Sequence, residues 1–334
     1  MRYLFALIAS VWALAATAQD WEDRRVFNAE AGTPPLRVLS STDTAIFAPV
    51  IESFVGQNAN VAIEYLVSST ADVDHRFRAA PSDFDVVISS AMDLQLKLAN
   101  DGYAATLRGI SHPAWAEWRQ SLFAFTAEPA AIVINTAAFG ANNIPATRQE
   151  LIQELRARPE TFQGRVGTYD IRTSGLGYLF ATQDARASET YWRLMEVMGG
   201  LDARLYCCSG EMIDDLVRGD IVVAYNVLGS YAAAREDRSD ALQIILPSDF
   251  PTTMMRTAMV SRDAGNPEVA EAFVQHLLDL GADESVAVPL PILQTSGEAD
   301  VQETIALEPA LMTFLDTLKR NKFLAEWEDA IIQD

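Results

Sequence analysis

The chain has 334 residues, 49% of them apolar and 21% charged, which is the composition of a folded globular protein with room for two domains. Its 25 basic and 46 acidic side chains give a formal net charge of -21. Such an acidic surface repels polyanions, so we expect nucleic acid and anionic membranes to be poor partners.

The first 18 residues have the pattern of a secretory signal peptide. Arg2 precedes an apolar run, residues 3–16, which is shorter than a typical membrane span. Ala16-Thr17-Ala18 fits the small-x-small cleavage pattern, so cleavage is predicted before Gln19. An uncleaved signal anchor is the alternative. We therefore expect an exported protein that is not inserted in the membrane when mature.

Strands and helices alternate along the next part of the chain. The polar residues 19–35 predict a loosely docked arm, and strands are predicted at 36–39, 61–67 and 84–88. Each strand ends in a Ser/Thr-rich loop that opens a helix, which predicts a parallel sheet whose ligands bind at the carboxyl ends of its strands. Helix capping is the alternative role for each hydroxyl. The candidate ligand groups are Ser41, Thr42, Ser69, Ser89 and Ser90.

Two apolar segments predict crossings between two lobes. Residues 121–135 form a long strand pattern interrupted by a Glu-Pro pair, and residues 252–261 form a second strand pattern that would return the chain. We therefore expect lobe 1 to contain residues 36–125 and 255–334, and lobe 2 to contain residues 130–247.

The stretch 164–180 predicts a strand, a polar loop and a capped helix. A helix start presents unsatisfied N–H groups and partial positive charge, so with Arg172 beside it the loop favours a carboxylate or a phosphate. The candidate groups are Arg172, Ser174 and Gly175. The alternative is an ordinary strand–turn–helix in which Arg172 forms a salt bridge.

Two adjacent cysteines, Cys207 and Cys208, follow a predicted strand. In an oxidising compartment they can form a vicinal disulfide. Alternatively, they are two small residues packed at the end of the strand. The sequence leaves both open.

Residues 219–231, GDIVVAYNVLGSY, resemble the second-lobe ligand strand of the ferric-iron-type extracellular solute-binding family of ABC transporters. Residues 245–249 and 259–261 resemble later parts of the same family, with the phosphoglycerate transport regulatory branch the nearest. The resemblance implies an α/β fold of the type II periplasmic binding class, with two lobes that are each a mixed sheet flanked by helices and two crossing strands as the hinge. It also implies a periplasmic location and hinge closure on a bound ligand.

The resemblance further implies the function and the second-lobe site. The expected function is capture of a small anionic ligand, phosphorylated or carboxylate, for an ABC permease, with docking on a histidine kinase ectodomain as the alternative. The implied second-lobe ligand residues are Tyr169, Arg172, Ser174, Gly175, Ser209, Tyr225 and Asn226. For Tyr225 a place in the core or the hinge is the alternative.

Neither catalysis nor a resident cofactor is expected. The HExxH, GxSxG and Ser-x-x-Lys motifs are missing from the sequence, and its three histidines have no metal-ligand spacing. The ferric branch of the family binds iron through neighbouring tyrosines, whereas here Tyr225 is followed by Asn226 and the next tyrosine is Tyr231. Ferric iron is therefore kept only as an alternative ligand. We expect a monomer.

Overall fold

The structure, a computed structural model, describes residues 21–140, 143–235, 242–281, 288–293 and 304–333. The predicted signal peptide and its cleavage site lie outside these residues. None of the helices in the described ranges combines the length and the apolar composition that a membrane span needs.

Strands and helices are numbered here in chain order. The strands are β1 Asp23–Phe27, β2 Leu36–Ser40, β3 Ile63–Val67, β4 Val86–Ser89, β5 Glu117–Trp118, β6 Leu122–Ala124, β7 Glu128–Asn135, β8 Val166–Tyr169, β9 Arg204–Tyr206, β10 Val223–Leu228, β11 Leu242–Ile245, β12 Thr253–Met254 and β13 Thr257–Val260. The helices are α1 Thr44–Gln57, α2 Thr70–Ala79, α3 Met92–Asn100, α4 Arg148–Ala157, α5 Pro159–Phe162, α6 Gly175–Ala187, α7 Thr190–Gly199, α8 Ser209–Arg218, α9 Gly229–Ala233, α10 Pro267–Asp279 and α11 Thr317–Ile331.

Lobe 1 is built on a seven-stranded sheet in the order β1-β3-β2-β4-β13-β6-β5. β2 runs parallel to both β3 and β4, as the alternation of strands and helices predicts. β1 and β13 run antiparallel to their neighbours, so the sheet is mixed. Because α1, α2 and α3 follow β2, β3 and β4 directly, their N-terminal ends lie at the carboxyl edge of this sheet.

The N-terminal segment is more ordered than the loose arm that its polar composition predicts. Residues 23–27 form β1, which pairs antiparallel with the whole of β3. The amide of Glu22 extends this pairing by donating to the carbonyl of Val67 at 3.0 Å. The physical reason is that β3 would otherwise leave a row of backbone groups unpaired at the edge of the sheet. Lobe 1 therefore begins before residue 36.

Lobe 2 is built on a second mixed sheet in the order β11-β7-β10-β8-β9. β8 runs parallel to β9 and β10, whereas β7 runs antiparallel to β10 and β11. Part of its core is a separate apolar cluster that includes Val166, Leu194 and Val223, whereas Met212 and Leu216 belong to the cluster that also forms the core of lobe 1. The fold class expected from the sequence, two mixed sheets flanked by helices, is confirmed.

The chain passes between the two sheets twice, in segments that lie side by side. β6 of lobe 1 leads into β7 of lobe 2, and β12 leads back into β13 of lobe 1. β12 pairs with the first two residues of β7, Glu128 and Pro129. Glu128 also accepts from the guanidinium of Arg256, with Nε–Oε1 and Nη2–Oε2 distances of 3.0 and 3.1 Å, and both side chains are buried. A buried ion pair therefore joins the two crossings.

The C-terminal helix packs on lobe 2, whereas the sequence prediction placed residues 255–334 in lobe 1. Phe323, Trp327 and Ile331 of α11 are spaced by four residues, so they lie on one face of the helix. All three belong to the apolar core of lobe 2. The stripe was visible in the sequence, but its partner surface is distant in the chain.

Two glycines in helices make a matched pair for a stability test. A Cβ on Gly177 in α6 would lie 2.3 Å from the Cβ of Tyr169, whereas one on Gly56 in α1 would meet nothing within 4 Å. Gly177→Ala should therefore lower the free energy of unfolding by roughly 1–3 kcal/mol, because it pushes α6 away from β8. Gly56→Ala should raise it by up to about 1 kcal/mol, because alanine favours the helix. Urea unfolding measures both, and equal changes in the two variants would contradict the packing.

Candidate ligand-binding site

A small cavity lies between the two lobes at the carboxyl edge of the lobe 1 sheet. It leaves about 30 Å³ of space for water-sized molecules. Hydroxyl groups dominate its lobe 1 wall, and aromatic, sulfur and hydroxyl groups form much of its lobe 2 wall. The lobe 1 wall includes Ser41, Ser68, Ser69, Thr70 and Ser90. The lobe 2 wall includes Tyr169, Cys207, Cys208, Ser209 and Tyr231.

The lobes contact each other beside this cavity through helix N-terminal ends. The amide of Leu176 in α6 donates to Oγ1 of Thr70, the first residue of α2, at 3.1 Å. At α8, a Cβ on Gly210 would lie 3.2 Å from Oδ2 of Asp43, the residue before α1. The structure is therefore in a closed arrangement, with the starts of four helices, α1, α2, α6 and α8, around the cavity.

The five lobe 1 candidates separate into a wall and a layer behind it. Ser41 and Ser90 lie side by side in the wall, and the Ser90 amide donates to the Ser41 hydroxyl at 3.2 Å. Ser69 also lines the cavity and caps α2 by accepting from the Asp72 amide, so capping and cavity lining coincide. Thr42 and Ser89 are buried outside the lining: Thr42 accepts from Arg256, and Ser89 accepts from the Ala91 amide.

Among the lobe 2 candidates, Tyr169 and Ser209 line the cavity together, with 2.6 Å between their hydroxyl oxygens. Tyr225 and Asn226 point instead into lobe 2. Tyr225 donates to Oδ2 of Asp184 at 2.7 Å, and the Asn226 side-chain amide donates to the same oxygen at 2.7 Å. The reason is a shift of register in β10 after Ala224, with Asn226 at a φ of 59°.

Tyr225 and Asn226 belong to a buried polar cluster that no sequence pattern marked. Its centre is Asp184 in α6, which also accepts from Thr252 and pairs with Arg148 of α4. Arg148 donates to the Tyr225 hydroxyl at 2.8 Å. Burial lowers the pKa of Arg148, but Tyr225 and Asp184 raise it by more, so the net direction is upward and the guanidinium stays charged. The cluster stabilises lobe 2.

The three candidates for anion binding line a different, larger crevice between the lobes. Arg172, Ser174 and Gly175 border about 360 Å³ of space together with Arg78, Lys97 and Arg320. Ser174 caps α6 by accepting from the Gly177 amide. Arg172 is half-exposed and forms ion pairs with Asp170 at 2.7 Å and Glu328 at 3.5 Å. The structure therefore does not bring Arg172 to the cavity that Tyr169 and Ser209 line.

Two carboxylates at the cavity were not among the sequence candidates. Asp43 follows the hydroxyl-rich loop after β2, so the sequence pattern already placed it near the ligand edge of the sheet. Glu22 lies instead in the segment predicted as a loose arm. Burial and the negative charge of Asp43 raise the pKa of Glu22. Burial also raises the pKa of Asp43, although Arg256 opposes the rise. The mouth of the cavity thus carries two carboxyl groups from lobe 1.

No family model and no curated protein matches the sequence, but solved structures do. The crystal structure of the substrate binding protein of the ABC transporter from Agrobacterium tumefaciens is 31% identical, and the match covers 92% of this chain and 98% of that one with a TM-score of 0.84. This chain belongs to the substrate-binding proteins of ABC transporters. The solute-binding family expected from the sequence is confirmed, and the phosphoglycerate regulatory branch stays a prediction.

Two more distant structures share the fold of this substrate-binding protein. The periplasmic binding protein AfuA from Actinobacillus pleuropneumoniae, with fructose-6-phosphate bound, is 14% identical over 90% of this chain and 99% of that one, with a TM-score of 0.69. Iron-bound HitA from Pseudomonas aeruginosa is 14% identical over 89% and 99%, with a TM-score of 0.65. At this identity they show the type II periplasmic binding fold and nothing about the ligand.

The two tyrosines of the ferric alternative lie in different environments in this substrate-binding protein. Tyr225 is in the buried cluster around Asp184, and Tyr231 is in the wall of the cavity. Within the described ranges, no group of three or more His, Cys, Asp and Glu side chains is placed to hold a metal ion. Iron therefore finds no ready set of protein ligands of these types there.

Cys207 and Cys208 are joined by a disulfide in the lobe 2 wall of the cavity. Because the bonded residues are adjacent, the bond closes almost no loop in the unfolded chain. Replacing both with serine should therefore lower the free energy of unfolding by no more than about 1 kcal/mol. Urea unfolding of the double variant tests this, and thiol titration of the denatured parent protein checks the bond. A much larger loss would give the disulfide a role in stability.

Proposed function

We propose that this substrate-binding protein captures a small polar ligand in the cavity between its lobes and delivers it to an ABC permease. The observation that carries the proposal is a cavity at the carboxyl edge of a sheet, with hydroxyl groups on both lobes and helix starts around it. Ligands of open α/β sheets bind at such edges. Short hydroxyls and free helix amides can bond a polar ligand from two sides.

Closure of the lobes would complete the site. The Thr70–Leu176 hydrogen bond joins the lobes in the closed arrangement, and Tyr169 and Ser209 then face the serines of lobe 1. A ligand held between the walls adds contacts that the open arrangement lacks, so binding favours closure. We propose that the protein works as a monomer without catalysis and that release follows reopening at the permease.

Replacing both Ser41 and Ser90 with alanine tests the cavity. A thermal-shift panel of phosphoglycerates, sugar phosphates, phosphonates, carboxylates, ferric citrate and ammonium compounds first supplies a ligand. The double variant should weaken the binding of that ligand about tenfold, because two hydrogen-bonding groups are lost. Ser248→Ala, at an exposed position outside the cavity, is the matched control. Unchanged affinity in the double variant would place the ligand elsewhere.

A second candidate is that the substrate is an anion bound in the larger crevice. The specific observation in its favour is that Arg78, Lys97, Arg172 and Arg320 line the crevice beside the start of α6. Against it, Arg78, Lys97 and Arg172 already pair with carboxylates. Arg172→Ala should abolish the thermal shift by a phosphate ester if this candidate holds, and an unchanged shift would remove Arg172 from the site.

Sensing through a histidine kinase is the alternative use of the same cleft. Transport has the support of the Agrobacterium tumefaciens relative, which is named as part of an ABC transporter. A strain without the protein should lose uptake of the radiolabelled ligand. Normal uptake together with a lost transcriptional response to the ligand would favour the sensor.

A further inference from the structure

The charges around the interlobe cavity are almost all negative. Glu22 and Asp43 line it, and no lysine, arginine or histidine does so among the described residues. Asp72 and Glu211 are close enough to raise the pKa of Glu22, after the larger effects of burial and Asp43. Asp214 likewise raises the pKa of Asp43, after the larger effect of burial. The mouth therefore holds carboxylates from both lobes.

Two cations near these carboxylates are already engaged. Arg256 is close enough to Asp43 to lower its pKa, but its guanidinium is bonded to Glu128. Arg235 forms an ion pair with Asp214. Glu22 and Asp43 form no ion pair with any residue in the described ranges. Their charges are the ones that a ligand can neutralise.

Closing the lobes brings these like charges together. Glu22, Asp43 and Asp72 belong to lobe 1, and Glu211 and Asp214 belong to lobe 2. Their mutual repulsion opposes closure, and it grows as water leaves the cleft. A cation bound between them would reverse this effect, whereas an anion would add to it. The acidic mouth thus favours closure on a positively charged ligand.

A second cavity, directly beside the first, has room for an apolar part of the ligand. It offers about 320 Å³ and shares Asp43, Gly210 and Tyr231 with the first cavity. Ile46 of lobe 1 and Ile213 of lobe 2 are among its apolar walls.

Tyr231 lines both cavities and is only 8% exposed. No residue in the described ranges accepts a hydrogen bond from its hydroxyl, so the hydroxyl proton is available to a ligand.

We propose that the substrate is a protonated organic amine. Its ammonium group lies at Asp43 and Glu22, and its apolar part occupies the adjoining cavity beside Tyr231. The proposal rests on the interlobe cavity being the ligand site. An organic cation fits better than a metal ion, because the described residues contain no cluster of three or more His, Cys, Asp and Glu that could hold one. An amine also needs fewer ligands and uses the apolar walls.

Matched pairs of compounds test the proposal on the purified protein. Each pair has the same hydrocarbon body with an ammonium or a carboxylate group: butylammonium and valerate, phenethylammonium and phenylpropionate, and cyclohexylammonium and cyclohexanecarboxylate. Thermal shift and calorimetry measure binding. We expect the ammonium member of at least one pair to raise the melting temperature and the carboxylate members to leave it unchanged. Absence of any shift from the ammonium members would overturn the proposal.

Three variants locate the binding. Asp43→Asn and Glu22→Gln should each weaken the binding of the ammonium compound about tenfold or more, because each removes one attractive charge. Asp263→Asn, at an exposed carboxylate outside both cavities, should leave the affinity unchanged. Circular dichroism and the melting temperature without ligand show that each variant folds.

The outcomes separate this proposal from the proposed function. One outcome is that anions bind, that Asp43→Asn strengthens their binding and that the Ser41/Ser90 double variant weakens it. The proposal of an amine substrate would then be wrong, but the interlobe cavity would remain the ligand site. If the ammonium compounds bind equally to the parent protein and to the Ser41/Ser90, Asp43 and Glu22 variants, the interlobe cavity is not the ligand site.

Discussion

Asp184→Ala should lower the free energy of unfolding by roughly 3–5 kcal/mol, because it removes one of the two carboxylates that pair with the buried Arg148 and leaves three buried donors without their acceptor. Asp184 and Arg148 are both fully buried, and Asp184 also accepts from Tyr225, Asn226 and Thr252. Arg148 would keep only its contacts with Asp249, Phe250 and Tyr225 in lobe 2. Because the cluster joins α4, α6 and β10, the damage should be to lobe 2 as a whole.

The matched control is a carboxylate whose ion pair is on the surface. Asp263 lies 3.9 Å from Arg262, and both side chains are about half-exposed. Asp263→Ala should therefore change the free energy of unfolding by at most about 1 kcal/mol. Urea unfolding, followed by circular dichroism, measures both variants. Similar losses in the two variants would contradict the role given to the buried cluster.

Glu128→Ala should also lower the free energy of unfolding by roughly 3–5 kcal/mol, because it leaves the buried guanidinium of Arg256 without its carboxylate partner. Glu128 also accepts from the hydroxyls of Thr126 and Ser230, both at 2.8 Å. The Arg256 side chain is completely buried and the Glu128 side chain is 1% exposed, so water cannot replace the lost partner. This pair joins the two crossing segments, so the variant should also loosen the connection between the lobes.

A double replacement distinguishes the destabilisation by an unpaired buried charge from the net contribution of the ion pair to the free energy of unfolding. Glu128→Leu combined with Arg256→Met removes both charges and keeps apolar volume. The double variant should be clearly more stable than Glu128→Ala, because no buried charge is left without a partner. Urea unfolding of the single and double variants completes the comparison. A double variant as unstable as the single one would mean that packing, and not charge, sets the loss.

The parts of the fold that local patterns describe were predictable. β2, β3 and β4 were marked by apolar runs, and the hydroxyl-rich loops after them placed Ser41, Ser69 and Ser90 at one edge of a sheet. This works because parallel strands joined by helices put all their carboxyl ends on the same edge. Nothing beyond neighbouring residues is needed for that inference.

The remaining features depend on contacts between distant segments. Glu22 reaches the cavity because β1 pairs with β3, which a short polar arm does not reveal. The loop of Arg172 and the capped helix after it were predicted, but the orientation of α6 between the lobes decides which cavity Arg172 borders. Tyr225 turns towards Asp184 because β10 shifts register, and a single sequence gives no sign of that shift.

Small-angle scattering of the protein with and without its ligand tests most directly the claim that the lobes close around a substrate. The ligand is the compound with the largest thermal shift in the panels described above, used at a saturating concentration. We expect a smaller radius of gyration in the presence of the ligand, and in the Ser41/Ser90 double variant the same decrease should need about ten times more ligand. Saturating binding with an unchanged radius of gyration would contradict the claim.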